Sequence, residues 1–263
     1  MKILYISYRY DPEKPGEGSS LDFEIYNILK GISSKIKVFR PDYKYDVRIW
    51  PFLKRKYKKV TNNKLYKYGL MDAFYLTQQI HRLIKDTHFD FIFTTHPNPM
   101  CFYNHKIPLV VITDTTFIGQ QLHWPVYGKI GMLLSVWQES RVFQNACAII
   151  TFSKWSKLVL IRNYSVESSK ISFFPIPAAI PEKYLLKSQS IKKIKRPLKI
   201  LIVAREYYRK GVDIAIQIVK KLNEVGQETK LTVCGLNGKN NSQVKFVGPY
   251  DKSNDSELDK YIK

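Results

Sequence analysis

The sequence predicts an α/β protein built from two parallel-sheet domains, the second of them incomplete. Three observations carry this prediction. Short apolar, β-branched runs alternate with helix-period segments along most of the 263 residues, the pattern of βαβ units. A proline- and lysine-rich stretch, residues 178–197, interrupts the alternation as a linker between residues 1–177 and 198–263. Charged residues and glycines follow several of the apolar runs, where open parallel sheets carry their ligands.

The elements follow in order. Lys2 to Ser7 is the first strand, and the loop after it contains Pro12, Pro15, Gly16 and Gly18. A helix is predicted from Ser19 to Lys30. Ser19 and Asp22 fit a capping box, Leu21, Ile25, Ile28 and Leu29 recur at helical spacing, and Gly31 supplies a stop. Strand Lys35 to Phe39 follows. Residues 41–62 are rich in aromatic and basic side chains and lack a period, and a helix covers Lys64 to Asp86. Strands Asp90 to Thr95 and Ile107 to Thr113 come next, then a helix from Tyr127 to Asn145 and strand Ala146 to Phe152. Ser153 caps a short helix to Asn163, and Ile171 to Phe174 is a strand. The second domain offers strand 198–204, helix Val212 to Val225, strand Leu231 to Gly235 and a short strand from Val244.

Composition narrows the function. The hydrophobic fraction of 44% supplies a packed core. No run of about 18 apolar residues marks a membrane span, and the N-terminus is too short and polar-ended for a signal peptide. Three cysteines lack metal-ligand spacing; Cys147 and Cys234 sit in strand-like runs and read as buried thiols in a reducing cytoplasm. Lys and Arg total 43 against 22 Asp and Glu, a net charge of +21. Such a field attracts phosphorylated substrates, anionic lipid or nucleic acid, and charge alone does not choose. No nucleic-acid-binding module surrounds the basic residues, so nucleic acid is not an expected partner. Residues 49–59, Ile-Trp-Pro-Phe-Leu-Lys-Arg-Lys-Tyr-Lys-Lys, fit either a solvated basic loop or a patch lying on an anionic membrane.

The segment Lys199-Ile-Leu-Ile-Val-Ala-Arg205-Glu-Tyr-Tyr-Arg-Lys210-Gly211 places two cations after a buried-type strand and before a helix. Arg presents a planar fork and Lys a compact point charge, and the positive end of a helix lies beside them. That combination suits a diphosphate. The order that follows is helix, strand ending at Gly235, Gly238, then Val244-Lys-Phe-Val-Gly248. The run resembles the nucleotide-binding domain of the retaining, nucleotide-sugar-dependent glycosyltransferases of family four. In the first domain Thr151-Phe-Ser153 and Ile171-Ser-Phe-Phe-Pro-Ile-Pro are similar to that family's last strand, helix and hinge. The resemblance covers nearly the whole chain and is weak between residues 41 and 88. It implies two Rossmann-like domains facing a cleft, the glycosyltransferase B type. It also implies a sugar transferred from a nucleotide-diphosphate sugar to a glycan or lipid-linked acceptor at the cytoplasmic membrane face.

Candidate site residues follow. Arg205 and Lys210 are assigned to the diphosphate, where fixed cations stabilise the charge that develops on departure. Gly16 and Gly18 present backbone N–H groups to substrate, or form an ordinary flexible loop. Asp114 ends a strand at the ligand-bearing edge; relatives have a histidine near there, and the aspartate either meets a sugar hydroxyl or caps the following turn. His96, His123 and Trp124 suit sugar contacts or plain loop packing, and His81, His88 and His105 read as surface residues. The resemblance adds Gly235 and Gly238 to the substrate-binding set. No Asp-x-Asp pair is present, so neither metal nor cofactor is expected. The family's Glu-x-x-x-x-x-x-x-Glu motif is not reached within 263 residues. Three readings follow: a transferase, its second domain either truncated or completed by a second polypeptide; a non-catalytic remnant binding acceptor or nucleoside diphosphate; or a basic membrane-surface or nucleic-acid binder.

Overall fold

The computed structural model describes residues 1–8, 10–14, 21–41, 52, 55–56, 58–59, 69–125, 127–175 and 197–249. The chain divides into two compact units, Met1–Ala179 and Ile180–Lys263.

Unit 1 holds a six-stranded sheet of β1 (Lys2–Ile6), β2 (Lys35–Phe39), β3 (Phe91–Thr94), β4 (Leu109–Thr113), β5 (Ala148–Thr151) and β6 (Ile171–Phe173). All strand pairs are parallel and the order is β2-β1-β3-β4-β5-β6. Its helices are α1 (Leu21–Ile32), α2 (Leu70–Lys85), α3 (Phe117–His123), α4 (Lys129–Asn145) and α5 (Lys154–Tyr164). β1 shows why this sequence makes a covered sheet. Ile3, Leu4, Tyr5 and Ile6 are all buried, and successive side chains point to opposite faces. Leu4 and Ile6 join one core with Ala73, Leu76 and Ile80 of α2 and with Val142 and Phe143 of α4. Ile3 and Tyr5 join the other with Ile25, Tyr26 and Leu29 of α1. Each fully buried aliphatic side chain contributes about 1.5–3 kcal/mol to holding these layers together. The strand order reverses direction between β1 and β3. That reversal opens a crevice at the carboxyl ends of the strands, the place where doubly wound sheets bind ligands.

Unit 2 has three parallel strands in the order β7 (Leu198–Val203), β8 (Thr229–Cys234) and β9 (Val244–Phe246), with helix α6 (Val212–Glu224). Ala204, Val212, Val219, Leu231, Val233 and Val244 form its core. Alternate residues of β7 turn outward, leaving Leu201 and Val203 about half exposed.

Several expectations are corrected. Gly31 does not stop the first helix, which runs on to Ile32; Ser33 ends it, its N–H bonded to Leu29 O at 2.8 Å and its hydroxyl to Met1 O at 2.6 Å. α4 begins at Lys129, two residues later than its periodicity suggests. Tyr127 instead pairs with the Gln121 side chain, which donates to its carbonyl at 2.8 Å. Cys147 is exposed rather than buried, because the chain is only entering β5 there, and its thiol donates to Leu109 O at 3.3 Å. His81 is half-buried on α2, with its ring 5.9 Å from that of His105. The linker residues 178–196, and residues 64–68 of the expected second helix, lie outside the described residues.

Candidate functional site

A cleft of about 210 Å³ lies at the carboxyl ends of β1, β3 and β4, against the start of α1. Asp22, in the first turn of α1 and 8% exposed, stands in its wall. The Tyr5 hydroxyl, rising from β1, donates to Asp22 Oδ1 at 3.0 Å. The Thr95 hydroxyl, at the end of β3, donates to the same oxygen in a short hydrogen bond. With its proton so directed, Thr95 Oγ1 accepts from His96 Nδ1 at 3.0 Å, which fixes the proton on that ring nitrogen. The His96 backbone is anchored as well, its N–H donating to Thr94 Oγ1 at 3.1 Å. Burial, and then the Asp22 carboxylate, hold the Tyr5 phenol well above its ordinary range, so it remains a donor.

The far wall is built by β4 and α3. Asp114 follows the last residue of β4 and is exposed at the cleft. Its carboxylate accepts the Thr115 N–H at 2.8 Å and its carbonyl accepts the Ser156 hydroxyl at 2.7 Å. Thr116 then caps α3, its hydroxyl oxygen accepting from Gly119 N at 3.1 Å. Glu139, on the buried face of α4 and 2% exposed, accepts the Phe117 N–H at 2.8 Å and the Tyr164 hydroxyl in a short bond. Burial first, then Glu139, drive the Tyr164 phenol far above its ordinary range.

The structure therefore brings Asp114 and His96 to one cleft and adds Asp22, Thr95 and Glu139. His123 and Trp124 do not line it. They end α3, where the His123 ring sits 5.1 Å from Trp155 and the Trp124 N–H donates to Gln120 O at 2.7 Å. Gly16 and Gly18 lie outside the described residues. Asp22 was masked in the sequence by its fit to a capping box. Glu139 sits in Val136-Trp-Gln-Glu139-Ser, and an acid at a core-facing helical spacing is the signal that marks it.

In unit 2, Arg205 and Lys210 are exposed on the turn between β7 and α6. Neither makes an ion pair among the described residues, whereas their neighbour Arg209 holds Glu206 at 2.8 Å. The turn consumes two amides that the sequence left for a ligand. Gly211 N–H donates to Tyr208 O and Val212 N–H to Tyr207 O, each at 3.0 Å. Gly211 takes φ +69°, a left-handed conformation that favours glycine. Packing accounts for the other two glycines. A Cβ on Gly235 would stand 2.5 Å from Ala204 O, and one on Gly238 2.7 Å from the Phe246 ring. Among the described residues no group of three or more His, Cys, Asp or Glu is arranged to hold a metal ion, and no helix is long and apolar enough to cross a membrane.

The chain superposes on the crystal structure of WaaG, a glycosyltransferase involved in lipopolysaccharide biosynthesis, over 97% of its own length and 72% of that chain, with a TM-score of 0.54 and 15% identity. The fold is of the glycosyltransferase B type. UDP-N-acetylglucosamine 2-epimerase from Rickettsia bellii shares this glycosyltransferase B architecture, with a TM-score of 0.50 and 11% identity over 98% of this chain and 71% of that one. At such identities the likeness is one of fold. No protein-family model and no curated protein sequence matches the chain.

Proposed function

We propose that this chain is a retaining glycosyltransferase of family four, moving a sugar from a nucleotide-diphosphate sugar to a glycan or lipid-linked acceptor. The observation that carries the reading is the turn after β7, where Arg205 and Lys210 stand exposed without an ion pair among the described residues, at the ligand-bearing end of a parallel sheet. As the sugar leaves, negative charge grows on the diphosphate. A guanidinium fork and an ammonium fixed beforehand stabilise that charge without reorganising. Asp114 and His96 supply polar contacts for the acceptor in unit 1. Gly16, Gly18, His123, Trp124, Gly235 and Gly238 belong to the proposed substrate-binding set, and neither cofactor nor metal is invoked. A peripheral position at the cytoplasmic membrane face is part of the proposal, supported by the exposed Phe52, Arg55, Lys56, Lys58 and Lys59. So is a second polypeptide completing unit 2, supported by the outward apolar face of β7 at Leu201 and Val203.

The test is calorimetry with nucleoside diphosphates, followed by turnover of nucleotide sugars. Lys210→Ala is expected to weaken diphosphate binding by about 1.5–3 kcal/mol, the scale of a charge-assisted hydrogen bond. Equal affinities would remove the site. Diphosphate binding without any sugar transfer would favour the non-catalytic binding reading.

A further inference from the structure

We infer that the cleft of unit 1 takes an uncharged, hydroxyl-bearing saccharide and excludes phosphorylated ones, with Asp22 Oδ2 accepting a hydrogen bond from a sugar hydroxyl. This rests on the sugar-transfer reading and names the substrate class of its acceptor side.

Two observations carry it. The first is how Asp22 is held. More than nine-tenths of the residue is buried, and both of its donors, the Tyr5 and Thr95 hydroxyls, converge on Oδ1. Oδ2 has no partner among the described residues, and Asp22 lines the cleft. Held by its residue at the cleft wall, that oxygen is open to the cleft, where a ligand O–H takes the place of a water donor. The donors on Oδ1, backed by His96 through Thr95, fix the carboxylate so that little freedom is lost when the ligand arrives.

The second observation is charge. The chain carries a net +21, yet the cleft inverts that sign. Asp22, Asp114 and Glu139 contribute three carboxylates, and no lysine or arginine is among the described residues that line it. A phosphate brought beside three carboxylates in a half-enclosed space is repelled. A neutral sugar hydroxyl donates to Asp22 instead. Ile112 and Phe117 offer apolar surface for the carbon face of a sugar ring.

The experiment measures binding to the whole chain by calorimetry and saturation-transfer NMR. The probes are a panel of neutral methyl hexopyranosides and the corresponding hexose phosphates. At least one neutral hexoside is expected to bind, with its phosphate at least about tenfold weaker at low salt. Asp22→Asn keeps the size of the side chain and its bonds from Tyr5 and Thr95 but turns the cleft-facing acceptor into a donor. It is expected to weaken hexoside binding about tenfold or more, with the thermal unfolding midpoint recorded to show that it folds. If that variant does not fold, the comparison of hexoside with phosphate on the unaltered chain still decides. Phosphates binding as tightly as hexosides, no hexoside binding at all, or a folded Asp22→Asn chain with unchanged affinity would each overturn the inference. Hexoside binding needs no nucleotide. Its survival in a chain that transfers no sugar would remove the catalytic reading and leave this one standing.

Discussion

Gly235 gives the most direct link between one residue and the shape of unit 2. It lies immediately after β8 with φ +96°, and its N–H donates to Gly248 O at 2.8 Å. A Cβ there would stand 2.5 Å from Ala204 O, just past β7, which leaves no room for a methyl group. Gly235→Ala is therefore expected to combine left-handed strain with a backbone clash, costing on the order of 1–3 kcal/mol. Thermal and urea unfolding would read this, and an unmoved midpoint would contradict the packing account. The glycine was legible in the sequence as the end of a strand; its reason was not, because a clash with Ala204 exists only once the two strands pair. Asp22 repeats the lesson. Ser19, with which its spacing fits a capping box, lies outside the described residues, and the fold brings the Asp22 carboxylate to Tyr5 and Thr95, groups contributed by β1 and the end of β3. His81 likewise read as a surface residue. Its Nε2 is buried without a hydrogen-bond partner, and burial, with His105 second, lowers its pKa.

At the scale of elements, strands were more legible than short helices. β1, β4 and β5 are apolar runs buried in a two-faced sheet, so composition alone marks them. α3 escaped because it has seven residues, a glycine in the middle and no repeating face. Tertiary contacts supply what its sequence lacks. Gly119 lets the Trp155 ring of α5 come within 2.6 Å of where a Cβ would stand, and Glu139 of α4 takes the Phe117 N–H. Glu139→Ala would orphan that amide and leave the Tyr164 O–H, which still accepts from Ile118 N–H, without its acceptor, each a loss of about 1–3 kcal/mol. Hydrogen exchange at residues 117–123 is expected to accelerate ahead of the rest of unit 1, and the cleft wall that Phe117 and Gln120 form should loosen with it. Exchange rates at α3 equal to those of the unaltered chain would show that Glu139 does not anchor it.

At the scale of the whole molecule, the two candidate sites differ in electrostatic sign. The sequence made the net charge of +21 plain, and it made the Arg205–Lys210 turn plain because both cations sit in one short segment. It hid the acidic cleft, whose carboxylates come from α1, the end of β4 and α4, distant in the chain and joined only by the sheet. Salt should separate the sites. Raising ionic strength from about 0.01 M to about 0.1 M shortens the screening length from about 30 Å to about 10 Å. Nucleoside diphosphate affinity is expected to fall severalfold over that range, because exposed cations carry it. Sedimentation with anionic vesicles should fall with it, and neutralising Arg55, Lys56, Lys58 and Lys59 together should remove about 1 kcal/mol of vesicle binding per charge near the surface. Hexoside affinity in the unit 1 cleft should stay nearly constant, since a neutral ligand brings no charge to screen. Diphosphate binding that ignores salt would take the site away from Arg205 and Lys210. Vesicle binding untouched by the four substitutions would make residues 49–59 a solvated loop.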